Sequence, residues 1–469
     1  MSYTHTTFAQ LKTALANRLG DTANSYWVDA SGSGITSEIG QYLIEALQTW
    51  GLMTGYWRDS GTLNTAAGTA LYNISTLQNT ASDPLLSSTV TDTTISAVIQ
   101  YHLLEPATGS TWTGSEQFTL ADVTGALQRR RDQLLLETGA TLTLSTQAMG
   151  AGVNTLDLSD TILAIRRLSW AGVTTGADWA LYSEDINSQR NYSQSYLITP
   201  GIPQTYSSYS TRPLRLQIAP PSNEPGTVTV LAVESGATIT AAGVALGIPD
   251  DMAWIVKWGA LADLLGRQGP GQDLPRSYFC ERRWRLGVEM AKIYPTVVNA
   301  EINGISLSPD SITNLDQFSP NWYSTQGVPT IISSLRNYIA LATAPDGVYS
   351  VLLDVVRKAV LPVNDSDYIE IGREYLDAIL DYAEHLASFK SGGYEFRHTY
   401  RGAQNFFNAA MTYNQSLAAK NPSLRELIRQ STSDDYIRPL QRAADARPLM
   451  TAGMASDQTT SSSQTSPNT

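Results

Sequence analysis

One cysteine is all the chain contains. Cys280 therefore has no intrachain partner, and no disulfide can brace the fold. A lone thiol in Tyr278-Phe-Cys-Glu-Arg, with no CxxC spacing, reads as core packing. Charge is scarce too. Asp, Glu, Lys and Arg make up 16% of the 469 residues, against roughly 25% in an ordinary domain. Histidine occurs four times, as His5, His102, His385 and His398, and no HExxH or His-x-His spacing sets two on one face for a metal. No GxxxxGK(S/T) or GxGxxG stretch offers backbone donors to a phosphate. No GxSxG elbow exposes a nucleophile. The apolar runs fall short of the roughly 20 residues that cross a bilayer, and Met1–Gln10 is polar where a secretory leader would be apolar. These absences lead us to expect a chain that is not an enzyme, takes no cofactor or metal, and is made in a reducing cytoplasm without membrane contact.

What is present is aromatic and short polar. The chain holds 23 Tyr and 10 Trp. Aromatics are enriched where proteins meet, since few charges need desolvating there, and they serve equally in β-rich cores. Lys plus Arg number 31 and Asp plus Glu 43, a formal net charge of −12 with a pI near 4.9. That balance argues against phosphate-backbone binding, which draws its affinity from Lys and Arg. With 42% hydrophobic residues and single cores limited to roughly 250–300 residues, several packed domains are expected.

Apolar stripes of helical period predict helices over 7–19, after the Gly/Ser turn at 31–34, and over 91–104, 119–137, 249–266, 275–293, 366–390 and 395–420. Thr119 with Asp122 has the spacing of a capping box, and Gly139 ends that helix. Alternation predicts strands at 69–75, 337–343 and 348–356, with mostly β-structure from 141 to 233. Residues from about Met454 lack apolar anchors and should be disordered in isolation.

Two stretches share a grammar. Gly201-Ile-Pro203 is echoed by Gly327-Val-Pro329, Leu214-x-Leu216-x-Ile218-Ala-Pro220 by Ile339-x-Leu341-x-Thr343-Ala-Pro345, and Met290-Ala-x-x-Tyr294 by Ala409-Ala-x-x-Tyr413. The expected fold is α+β and multi-domain, with helical hairpins alternating with small antiparallel β modules through an internal duplication. Its expected divisions are 1–140, mainly helical with a short β insertion; 141–295, a β module with a helical hairpin; 296–326, a linker; 327–420, a second such module; and 421–469, an extension. Trp50 and Trp57 are candidate docking residues. Arg129, Arg130 and Arg131 must splay over most of a helical turn, so they read as a solvated or interfacial face rather than a nucleic-acid patch.

Residues 27–30 (WVDA), 38–50 (EIGQYLIEALQTW), 55–59 (GYWRD), 118–139, 156–170, 213–221, 248–265 and 375–390 together resemble tailed-phage head-to-tail adaptor and neck virion proteins. The resemblance implies a ring of about twelve copies at the head–tail junction, with residues 1–140 docking the portal and other faces meeting tail or collar proteins. DNA would pass through without specific binding. A tail, collar or fibre-attachment module of the virion is the other reading it implies.

Overall fold

Thr7 opens the first helix. Its hydroxyl accepts from the Gln10 backbone N–H, and its own N–H donates to the Gln10 side chain, satisfying two donors that a helix start leaves over. Thr119 and Asp122 do the same for a later helix. Gly55 and Gly139 close two helices in the left-handed region, at φ 57° and 60°, where a Cβ would be strained. The computed structural model describes residues 5–28, 37–104 and 112–414, apart from 115, 175, 177, 193–194, 209–213 and 295. The expected C-terminal extension and its tail lie outside these residues.

In chain order the elements begin with α1 (Phe8–Arg18), α2 (Glu38–Thr54), β1 (Arg58–Asn64) and β2 (Leu71–Asn73). A continuous middle segment follows: α3 (Asp92–Leu103), α4 (Leu120–Thr138), β3 (Thr143–Met149), β4 (Thr155–Asp157), β5 (Ile162–Gly172), β6 (Asp178–Ser183), α5 (Ile186–Tyr192), β7 (Thr205–Ser208), β8 (Arg215–Ala219), β9 (Gly226–Glu234), α6 (Ala253–Gly266) and α7 (Leu274–Ile293). The last segment holds β10 (Val297–Ile302), β11 (Ile305–Ser306), β12 (Ser308–Pro309), α8 (Ile312–Phe318), β13 (Gln326–Gly327), β14 (Ile331–Leu335), β15 (Tyr338–Ala342), β16 (Ala344–Pro345), β17 (Ser350–Val356), α9 (Arg373–Ser391) and α10 (Gly393–Tyr413). The fold is α+β, as expected.

The strand pairings contain a pattern. β17 lies antiparallel between β1 and β10, and β9 lies antiparallel between β3 and β5. β15 lies between β2 and β14, and β8 between β4 and β7. β10 and β5 each fold back on the next strand. Thr7, which caps α1, bridges Tyr368 ahead of α9; Thr91, which caps α3, bridges Ala245 ahead of α6. Gly201 pairs in parallel with Ser222, and Gly327 with Pro345. The helices follow suit: α2, α9 and α10 pack together as α4, α6 and α7 do, and α1 lies on α9 as α3 lies on α6.

The described residues thus form two units of like strand pairing, with one seven-stranded sheet in the second and two four-stranded sheets in the first. Unit two (91–294) is continuous. Unit one is split around it, its first part ending after β2 and its second beginning at β10. The echo between 201–294 and 327–413 falls on the second half of each unit.

This interleaving departs from the expected string of modules. Helices of both units share one apolar core, which includes Trp50, Trp258, Trp284, Tyr382 and Phe406. Unit two's sheet encloses a second cluster around Trp170, Leu216 and Val228, and unit one's sheets a third around Ile339, Val351 and Leu353. Residues 296–326, expected as a linker, supply β10 and α8. The Asn303-Gly304 turn, with φ of 53° and 77°, folds β10 onto β11 in the geometry that suits strand twist.

Candidate functional site

Trp50 and Trp57 are interior residues, which corrects the expectation that they dock a partner. Trp50 is packed among Tyr375, Phe406 and Tyr413, at ring distances of 5.0, 5.7 and 6.2 Å. Trp57 closes over Gly51, where a Cβ would come within 2.8 Å of its ring. The three arginines separate in space. Arg131 is buried and donates to the carbonyls of Ala237 (2.5 Å) and Gly236 (3.1 Å), to Ser235 (3.2 Å) and to Asp132 (2.9 Å). Arg130 pairs with Asp263 at 2.6 Å and Glu281 at 2.9 Å and lies over the Trp284 ring. Only Arg129 reaches out, its side chain 66% exposed and 3.2 Å from Asp263.

A group of buried polar side chains lies where the units meet. Glu45 of α2 pairs with Lys257 of α6 and accepts from the Trp258 indole at 2.6 Å. His102 of α3 sits 3.4 Å from Lys257. Burial pushes the Lys257 ammonium below its ordinary value and holds His102 well below its own, so the imidazole is neutral. A second pair joins Glu38 to Lys390 at 2.9 Å, with Tyr42 donating to the same carboxylate. Arg276 of α7 donates to the carbonyls of Phe389 and Lys390 at 2.8 and 2.9 Å, and Arg283 donates to Tyr382 at 2.6 Å.

The contacts of α2 run one way. α2 and α9 of unit one meet α3, α6 and α7 of unit two. The reciprocal packing, α4 of unit two on α1 and α10 of unit one, has no comparable counterpart among the described residues. At α2 the units therefore meet through unlike faces, while the counterparts α6 and α9 touch at Trp258 and Phe389 and the counterparts α7 and α10 at Phe279 and Phe396.

A cleft of about 370 Å³ opens beside this junction, lined by Gln41, Glu45, Thr94, Asp251, Lys257 and Lys358 among others. The adjacent carboxylates at its edge hold chain together. Asp250 accepts from the N–H groups of Thr89 and Val90 at 2.7 and 2.8 Å. Asp251 accepts from the Ala359 N–H. Burial pushes Asp251 up to about 7, against that hydrogen bond. An acid whose native value exceeds its unfolded one favours folding while protonated, and the advantage is lost as pH rises through the native value. Wild-type stability should therefore fall between about pH 4 and 7 from this group. Asp251→Asn should remove that slope and exceed wild type at pH 8 by about 1.4 kcal/mol or more, the worth of one pKa unit. Thermal unfolding at both ends of the range checks it.

His385 and Cys280 are accounted for by packing. His385 stacks on Phe396 at 4.5 Å and lies 3.1 Å from the Thr399 hydroxyl. Cys280 is buried, and burial pushes its thiol up, away from reactivity. Among the described residues no group of three or more His, Cys, Asp or Glu side chains is placed to hold a metal, and no helix is long and apolar enough to cross a membrane. No family model and no curated protein matches the chain.

Proposed function

We propose that the chain is a non-catalytic structural protein of a tailed-phage virion, joining the portal to the tail as a ring of copies through which DNA passes. The observation that carries this reading is the one-way seating of α2 on unit two, which α4 does not repeat on unit one among the described residues. A contact between unlike faces leaves one face of each kind unused at the two ends, and its repetition closes into a ring when the rotation fits. A contact between like faces would stop at two. The likeness of residues 27–30, 38–50, 55–59, 118–139 and 248–265 to adaptor and neck proteins supplies the setting. The net charge of −12 suits a lumen that does not hold DNA.

Gold-labelled antibody against the chain tests the reading on intact virions. Label at the capsid–tail junction supports it. Label at the distal tail favours a tail or fibre-attachment module, and absence of the chain from particles overturns both.

A further inference from the structure

The junction inside the chain has a counterpart on its outside. α2 and α4 hold the same place in their units, and Glu45 and Arg129 stand the same number of residues before the closing Gly55 and Gly139. α3 and α1 also correspond, and His102 and Arg18 stand the same number of residues after their capping threonines, Thr91 and Thr7. His102 faces Lys257 of α6 at 3.4 Å. Arg18 faces Asp381 of α9 at 2.5 Å. Since α3 lies on α6 as α1 lies on α9, the Arg18 partners Asp381 and, one turn away, Asp377 hold the place of Lys257. The pair Glu45–Lys257, which joins unit one to unit two, thus maps onto Arg129 and Asp381.

Both signs are exchanged in that mapping. A carboxylate facing an ammonium becomes a guanidinium facing a carboxylate, so the attraction survives. The difference lies in exposure. Glu45 and Lys257 are buried against each other, whereas Arg129 is 66% exposed. Leu136, the α4 counterpart of buried Leu52, is 43% exposed. On the other side α9 presents an acidic stripe, with Asp377 88% exposed and Asp381 and Glu384 partly so. The chain carries an exposed face on α4 of unit two that includes Arg129 and Leu136, and an acidic face on α9 of unit one. Their counterparts are already in contact within it.

We infer that a second copy of this chain docks here, its α1–α9 face seated on α4 of the first, with Arg129 meeting Asp381 and Asp377 of the partner copy. The contact repeats the internal junction between chains, so unit one and unit two alternate around the assembly. The inference rests on the proposal that chains assemble with one another, and not on where in a virion they do so.

Sedimentation velocity of the full-length protein at low and moderate salt tests it. Wild type should associate with rising concentration, less so as salt screens the pair. Arg129→Asp and Asp381→Arg should each weaken association by about tenfold or more, since each sets like charges opposite one another. Equal mixtures of the two variants, or both changes in one chain, should restore it, which misfolding would not. Association of both single variants at wild-type strength overturns this surface and leaves the ring reading standing. A wild type that stays monomeric to its highest soluble concentration overturns the ring reading, and this surface with it.

Discussion

Glu45→Ala is expected to lower the stability of the chain by about 3–5 kcal/mol, the range seen when one partner of a buried ion pair is removed. Lys257 would be left with its side chain 2% exposed and no anion in reach. The Trp258 indole would lose its acceptor as well. The cost comes from the stranded ammonium, so it should shrink at high pH, where the unfolded lysine also loses its proton. Removing both charges is a different matter. Glu45→Leu with Lys257→Met should recover most of the loss, because two well-packed apolar chains do not need one another's charge. Denaturant unfolding of the single and double variants decides it. A double variant as unstable as the single one would show that the stranded ammonium is not the cause.

The second large effect belongs to Arg131. Arg131→Ala should cost about 3 kcal/mol, through lost packing and lost charge-assisted hydrogen bonds. Its guanidinium ties α4 to the segment after β9 through Ser235, Gly236 and Ala237. Arg129→Ala, two residues away, should change stability by less than about 0.5 kcal/mol, as exposed pairs do. Unfolding midpoints of the two variants should therefore separate clearly, although the sequence presents the residues as equals. Equal effects from the two would remove the structural role assigned to Arg131.

That contrast shows what local sequence can report. Caps were legible: Thr119 with Asp122 and the closing Gly139 stand where spacing put them. So were the helices at 119–137, 275–293 and 366–390, to within a few residues at most ends, and the strand at 348–356. Partners were not legible, because β1 pairs with β17 and Asp59 reaches Arg357 across 298 residues, and no local period records such a pairing. Trp50 and Trp57 looked like docking residues because one apolar stripe was credited to α2. A better signal was present. From Ile39 to Thr54 the only charge is Glu45, and α6 from Ala253 to Leu265 carries only Lys257 and Asp263. A helix apolar on all sides is enclosed on all sides, so the lone Glu45 of one and the lone cation Lys257 of the other point to a buried pair. The linker expected at 296–326 failed for a smaller reason, since Asn303-Gly304 marks a hairpin within it.

The placement of unit two inside unit one also sets an order of events during synthesis. A chain made from its N-terminus folds as its parts emerge. β1 and β2 leave the ribosome early and have no partners until β15 and β17 follow. Their edges stay open meanwhile, a recognised hazard for aggregation. The strand pairings of unit two and the packing of α4, α6 and α7 on one another lie within 91–294, so they can form while the outer unit waits, and Arg167 meets Asp316 only later. α2 then finds α3 and α7 already in place and can seat there before α9 exists. The inner unit becomes a template on which the outer one is finished, and a nascent chain halted after α7 would hold one complete unit and one half-built one.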